Sequence, residues 1–440
     1  MKPLKLLLSA YACEPGKGSE PGTGWRWALE AARLGHEVWV ITRMNNAPGI
    51  KHGMAAVGSG LKLHFVYFDL PFWMRWWKRG SRGVHLYYSL WQWGAYQLAR
   101  KLHATHRFEA VQHITFGVTR HASFMGGLGL PFVLGPLGGG DTAPLRLRRH
   151  FTWGVYLRDA ARDIANELAR IDPFVRGMCA RASLILCRTP QTLQWLPKKF
   201  QSKAQCMLEI GNDLRSDNDD RVPIPGTEIG ELRLVYVGRF LYLKGLGLGL
   251  RAVAQLHARG VAVNLTMIGQ GPENDRWHAL ARELGVADRV HWIPWMRQQD
   301  LLKIYNTFDA MLFPSLRDSG GNVVLEALSG GLPVVCVGLG GPAELVDNTC
   351  GRVVNVEDRG EGEVVSAMTD ALAELAADRM LISRLRKGAA MRAAHFEWGK
   401  VVARIWGADG AAYRMVTSGS HTDAPRLQTA KDEWTALHRL

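Results

Sequence analysis

Arg239 and Lys244 stand five residues apart in the segment 237–245 (VGRFLYLKG). The residues before them, 232–237, are apolar and β-branched and predict a strand, and an apolar helical pattern follows over 246–259. Two cations on the loop leaving a strand's carboxyl end suit a diphosphate, because open parallel sheets bind anions in the crevice beyond those ends. Taken alone, the segment also reads as a surface loop with solvated charges.

A second segment, 313–328 (FPSLRDSGGNVVLEAL), runs from a strand through a Gly-Gly turn into a helix beginning near Asn322. The N–H groups of Asn322, Val323 and Val324 would lack helical partners and would point toward a bound phosphate. Glu326 lies four residues into that helix, where a carboxylate can hold two ribose hydroxyls. The plainer alternative has Asp318 or Ser319 capping the helix and Glu326 solvated on its first turn.

Positioning these groups takes a repeated α/β rhythm. Residues 4–11 predict a buried strand, 14–24 a loop with four glycines, 25–34 a helix closed by Gly35, and 37–42 a strand. Lys2 and Lys5 before Leu6-Leu7-Leu8 superficially resemble a short signal peptide, but the apolar run is short and the strand reading is preferred. Further strands are expected at 61–68, 110–115, 132–134 and 184–187, with helices at 88–103 and 156–170. Residues 211–231 are polar, acidic and marked by Pro and Gly, as an interdomain linker would be. Beyond them strands are expected at 232–237, 261–268, 290–293, 310–313 and 334–337, with helices at 246–259 and 273–284.

A chain of 440 residues, 47% hydrophobic, is sized for two packed domains rather than one, and is too apolar to be disordered. Its six cysteines show neither C-x-x-C pairs nor zinc spacing, which argues against a disulfide scaffold and for a reducing compartment. The net charge of +14 is uneven: residues 71–200 hold 19 basic and 6 acidic groups, whereas 201–440 hold 27 and 29. Ten of the sixteen tryptophans precede residue 200. Residues 71–82 (PFWMRWWKRGSR) mix four cations with four rings, which suits an anionic headgroup layer, and Arg146, Arg148 and Arg149 could add to that face. No run of 18 or so apolar residues could span a bilayer.

Together the two segments resemble the retaining glycosyltransferases of family 4. The shared pattern is Gly238-Arg239, Lys244-Gly245, Pro314-Ser315, Asp318 and Glu326 with seven residues between them, and Gly331-Leu332-Pro333-Val334-Val335. Gly269-Gln270-Gly271-Pro272 resembles that family's nucleotide-side loop, and His395-Phe396-Glu397-Trp398 the start of its terminal helix. The resemblance implies an α/β GT-B fold: two Rossmann-like, doubly wound parallel-sheet domains facing each other across a cleft. The implied divisions are an acceptor domain over 1–210, a linker over 211–231, a nucleotide-sugar domain over 232–394, a returning helix over 395–414 and a mobile tail over 415–440. Arg239 and Lys244 would then hold the donor diphosphate, with Gly238, Gly269, Asn322, Val323 and Val324 lining it. Glu326 would bind the ribose, and Asp318 would lie near the transferred sugar's hydroxyls. Two departures from the pattern stand out: Asp318 where Glu is usual, and Pro294, flanked by Trp292 and Trp295, where glycine is usual.

In the first domain the resemblance brings Gly16 and Gly18 toward the donor phosphates. It makes His113 the histidine beside the sugar, with His121 in reserve, although a buried structural histidine fits the same residues. Gly138 and Gly139 form either an acceptor loop or a tight turn. The expected reaction moves a sugar from a UDP- or GDP-sugar to a saccharide or lipid-linked acceptor hydroxyl with retention, without a metal or resident cofactor. The setting implied is cell-surface polysaccharide or lipid-linked oligosaccharide synthesis, cytoplasmic and peripheral on the inner face of the cell membrane. The alternatives are a nucleotide-sugar epimerase of the same fold and a basic nucleic-acid-binding protein. The latter lacks any nucleic-acid fold signature, so nucleic acid is not expected as a partner.

Overall fold

In the computed structural model, residues 1–78, 83–213 and 230–418 are described. Among the described residues thirteen strands form two all-parallel sheets, one in each of two compact units. Unit 1 comprises residues 1–140, 161–210 and the chain from Trp398 onward; unit 2 comprises 141–160 and 211–397.

Unit 1 holds β1 (Lys5–Ser9), β2 (Glu37–Thr42), β3 (Leu63–Tyr67), β4 (Ala110–His113), β5 (Phe132–Leu137), β6 (Leu184–Cys187) and β7 (Ala204–Cys206), in the order β3-β2-β1-β4-β5-β6-β7. The run Leu6-Leu7-Leu8 fits a central strand covered on both faces. Leu6 and Leu8 pack with Trp27, Val38 and Val40, whereas Leu7 packs on the other side with Tyr88, Trp91 and Val111. The helix Trp398–Trp406 completes the first layer. Trp406 and Trp27 both donate their indole N–H to Gln112 Oε1, at 2.7 and 3.0 Å. The Leu4 N–H donates to His36 Nδ1, which leaves the His36 Nε2–H for the Trp406 carbonyl at 2.8 Å.

Unit 2 holds β8 (Leu232–Val237), β9 (Val263–Ile268), β10 (Val290–Ile293), β11 (Ala310–Phe313), β12 (Val334–Val337) and β13 (Gly351–Val354), in the order β10-β9-β8-β11-β12-β13. Each sheet starts in its middle and grows in both directions, which makes the gaps β1/β4 and β8/β11 the switch points where such sheets bind ligands.

Several sequence expectations change. The first helix begins at Ser19, not Trp25, so Gly22 and Gly24 lie within it. A Cβ on either would come within 2.1 Å of the Lys17 carbonyl or 2.2 Å of the Ala12 carbonyl, so these glycines permit tight helix–loop packing. Strands β7 and β13 had no counterpart in the sequence reading. Residues 415–418, expected in a tail, finish the helix Ala411–Ser418; 419–440 and 214–229 lie outside the described residues. Residues 141–160, expected in the first domain, belong to unit 2. The reason is electrostatic: Asp159, fully buried, pairs with Arg148 at 2.9 Å and with Arg317 at 2.6 Å. Arg148 is therefore an internal cation and adds nothing to a membrane-facing surface, and Arg146 binds the Asp358 carbonyl at 2.5 Å. The six cysteines are free thiols.

Removing one side of a buried ion pair strands the other. Asp159→Ala should therefore cost about 3 kcal/mol or more of stability, read as a lower urea midpoint. An unchanged midpoint would show that the pair does not anchor residues 141–160.

Candidate functional site

In unit 2 the loops after β8, β9 and β11 come together through the strands that launch them. The Gly238 N–H donates to the Ile268 carbonyl and the Phe240 N–H to the Gln270 carbonyl, at 3.0 and 3.1 Å. A Cβ on Gly269, at φ +149°, would sit 1.9 Å from the Gly238 carbonyl oxygen, so no other residue lets these loops touch.

Lys244 Nζ lies 2.5 Å from Asp318 Oδ2 and over the Phe313 ring. Asp318 Oδ1 accepts the N–H groups of Gly320 and Gly321 at 3.2 and 3.0 Å. Both oxygens of Asp318 are thus engaged within the protein. It braces the Gly-Gly turn but does not cap the helix Asn322–Ser329, which begins at left-handed Gly321 with no side-chain cap. The first N–H groups of that helix, at Asn322, Val323 and Val324, are the donors the sequence pointed to.

Glu326 is half-buried, and Gln298 Nε2 donates to its Oε1 at 2.6 Å. Burial pushes its carboxyl above the ordinary range, with the Gln298 amide opposing. Nothing in the sequence flagged Gln298, which comes from a different helix, Gln298–Ile304. Arg239 is exposed and lines an open pocket with Gly269, Asn274, His278, Trp292 and Pro294. There His278 stacks on Trp292 at 3.9 Å between ring centres, and Phe240 meets Trp292 edge-on. A flat ring pair beside an arginine is suited to a base and its phosphates.

In unit 1, Gly16 and Gly18 are exposed with open space around them. His113 ends β4 and is 2% exposed. Tyr88 donates its hydroxyl to the Phe116 carbonyl at 3.2 Å, so it accepts from the His113 Nε2–H at 3.1 Å. That assignment leaves His113 Nδ1 a buried acceptor without a hydrogen-bond partner. Burial lowers the His113 pKa to about 4. His121 is stacked on His85, with their ring nitrogens 2.9 Å apart, and its pKa is lowered to about 4 by burial, then by His85 and Arg120. Gly138 pairs with the 117–119 loop, and the Gly139 carbonyl accepts from Arg162 and Asn166 at 3.1 and 3.0 Å.

One cluster escaped the sequence reading. Glu20 accepts the Phe116 N–H and an Arg188 N–H, each at 2.6 Å, and Arg188 also pairs closely with buried Glu209. Burial pushes the Glu209 carboxyl up, with Arg188 opposing and Glu20 adding to the rise. Phe116 takes φ +58°, a conformation a bulky residue adopts only when held there, and Glu20 holds it. The signal available was an acid inside the Gly-rich loop, but its partners lie 96 and 168 residues away.

The buried neutral His113 predicts an acid sensitivity. Its folded pKa lies below the unfolded value near 6.5, so its contribution is complete above about pH 6.5 and is lost as pH falls toward 4. The loss should approach about 3 kcal/mol. In His113→Gln, the fall in stability between pH 7 and pH 4.5, measured by urea unfolding, should be visibly smaller. An equal fall in both proteins would refute the buried neutral state.

Comparison with known proteins places these features. Residues 220–388 match the family described as glycosyl transferases group 1. The D-inositol 3-phosphate glycosyltransferase of Stackebrandtia nassauensis is 35% identical over 41% of this chain and 42% of its own length. That of Mycolicibacterium smegmatis is 33% identical over 44% of this chain and 42% of its own. The chain thus spans about two fifths of the length of these curated relatives. Sucrose-phosphate synthase from Thermosynechococcus elongatus superposes with a TM-score of 0.60 at 16% identity, over 95% of this chain and 100% of that one. Anabaena HepE, solved with UDP and glucose, gives 0.53 at 16% identity, over 91% and 98%. These likenesses extend the GT-B fold over nearly the whole chain, while the family match lies within unit 2. Residues 220–388 thus resemble glycosyl transferases group 1, and the chain carries the GT-B fold.

Proposed function

We propose that the protein is a retaining glycosyltransferase that moves a sugar from a nucleotide-diphosphate sugar to an acceptor hydroxyl. The observation that carries this reading is the Lys244–Asp318 pair at the start of a helix whose first N–H groups no side chain caps. Negative charge builds on the diphosphate as the sugar's anomeric bond breaks. Preorganised donors are most effective where charge develops. Lys244, Arg239 and the N–H groups of Asn322, Val323 and Val324 supply that compensation, and the reading calls for no metal or resident cofactor. Glu326, held by Gln298, takes the ribose hydroxyls, and the His278–Trp292 stack takes the base. The acceptor hydroxyl attacks from the face the nucleotide leaves, which retains the anomeric configuration. Asp318 acts on the sugar through Lys244 and the 320–321 turn, since its own oxygens are engaged there.

A UDP- or GDP-sugar is the donor class we favour; HepE, solved with UDP, shares the fold. Unit 1, with Gly16, Gly18, His113, His121, Gly138 and Gly139, is assigned to a saccharide or lipid-linked acceptor, in cell-surface polysaccharide or lipid-linked oligosaccharide synthesis. Among the described residues no helix is long and apolar enough to cross a membrane. The exposed rings of Phe72, Trp73 and Trp76 support peripheral contact with an anionic inner membrane face; residues 79–82 of that stretch lie outside the described residues. Nucleic acid is not among the proposed partners.

Two measurements test the reading. Lys244→Ala and Glu326→Ala should each lower turnover of the preferred donor by about a hundredfold or more while circular dichroism shows the protein still folded. Near-normal turnover in both would overturn it. UDP-, GDP- and ADP-sugars should raise the melting temperature unequally, identifying the base by mass action. Nucleotide release should require an acceptor; release or sugar isomerisation without one would favour an epimerase.

A further inference from the structure

The helix Trp153–Ile171 is built inside out over its unit 1 half. Its protein-facing side is polar: Arg162 and Asn166 both donate to the Gly139 carbonyl, and the Trp195 indole donates to the Asn166 carbonyl at 3.2 Å. Its solvent side carries a line of apolar side chains flanked by exposed Glu167. Ile164, Leu168 and Ile171, spaced four and three residues apart on one helical face, are 63%, 59% and 67% exposed. Phe174, 63% exposed, continues the line on the helix Pro173–Arg181. It meets Phe124 at 6.3 Å between ring centres, and Phe124 meets Trp93, 51% exposed, at 5.2 Å. Together these exposed apolar side chains mark a band over three chain segments of unit 1.

We infer that this band is a lipid-facing surface that seats unit 1 in the headgroup layer of an anionic membrane. Two observations select that occupant. Aromatic rings form one end of it, the side chains best suited to the boundary between headgroups and chains. The charged groups beside it are mainly cationic: exposed Arg100, Arg176 and Arg181, with Arg170 paired to Glu167 at 3.0 Å and Asp172 committed to capping the Phe174 and Val175 N–H groups. This surface lies outside residues 71–82 and shares no residue with the donor loops, so it stands or falls separately from the transferase reading.

The test uses the full chain and flotation with vesicles of equal parts phosphatidylcholine and phosphatidylglycerol. The variant I164S/L168S/F174S should lose at least about a hundredfold in vesicle affinity, since each lost apolar contact removes about 1 kcal/mol or more. Its melting temperature, and the rise UDP produces in it, should be unchanged. Wild-type binding to pure phosphatidylcholine should be weaker than to the mixed vesicles. Normal flotation of the triple variant overturns the proposal, as does loss of flotation only in W73S/W76S. Equal binding to both vesicle types, or no flotation by the wild type, overturns it too. A concentration-dependent wild-type dimer that the three substitutions dissolve, seen by analytical ultracentrifugation without vesicle binding, would assign the band to a second copy instead.

Discussion

Strands β8 and β11 are neighbours in the sheet, but 72 residues separate the end of one from the start of the other. Their following loops must leave in a fixed relation for any group on one to act with a group on the other. Lys244 and Asp318 fix that relation with a 2.5 Å contact in a half-buried setting. The constraint is stringent because Asp318 also holds the Gly320 and Gly321 N–H groups. Moving its carboxylate toward a ligand would release the turn that starts the helix Asn322–Ser329. Placement of the ammonium, the turn and the helical N–H donors is thus one problem with one solution. A methylene more or less at residue 318 would change all three, which gives the Asp in place of the usual Glu a structural meaning beyond reach to a sugar.

The proposed donor side was legible in the sequence because its groups lie close to glycines and strand ends that announce loops. Gly238-Arg239, Lys244-Gly245 and Gly320-Gly321-Asn322 each lie within a few residues of a strong apolar run, so their place at the carboxyl edge follows from local pattern. The support of those groups was not legible. Gln298 reaches Glu326 from 28 residues away, and in unit 1, separately, Arg188 reaches Glu20 from 168. Such contacts depend on how elements are stacked, which periodicity does not report. The same limit explains Gly22 and Gly24: glycines read as a loop signal turn out to be helical positions kept small by the carbonyls of Lys17 and Ala12.

The two ends of unit 1 show a further dependence on distant sequence. Gln112, in the middle of β4, spends its carboxamide oxygen on Trp27 and Trp406 and its N–H on the Gly135 carbonyl. A buried amide must have its donors and acceptors satisfied, or its burial costs more than it contributes. Trp406 is therefore part of the core that surrounds the strand ending in His113, although it lies 294 residues from Gln112. Unit 1 is discontinuous in sequence for that reason: its first strand and its last helices close one core.

The basic block 71–200 acquires a different meaning when its cations are followed to their partners. Arg148 is neutralised by Asp159, Arg188 by Glu20 and Glu209, and Arg162 is turned inward to the Gly139 carbonyl. These charges hold loops and do not present a field to a partner. Arg100, Arg176 and Arg181 remain exposed, and they stand beside exposed apolar side chains rather than in a uniformly polar surface. A polyanion such as nucleic acid would be met by a continuous cationic stripe. Cations bordering an apolar band match a surface that offers negative headgroups with hydrocarbon beneath them. It is the interleaving of charge with burial, and not the total of +14, that distinguishes the two partners.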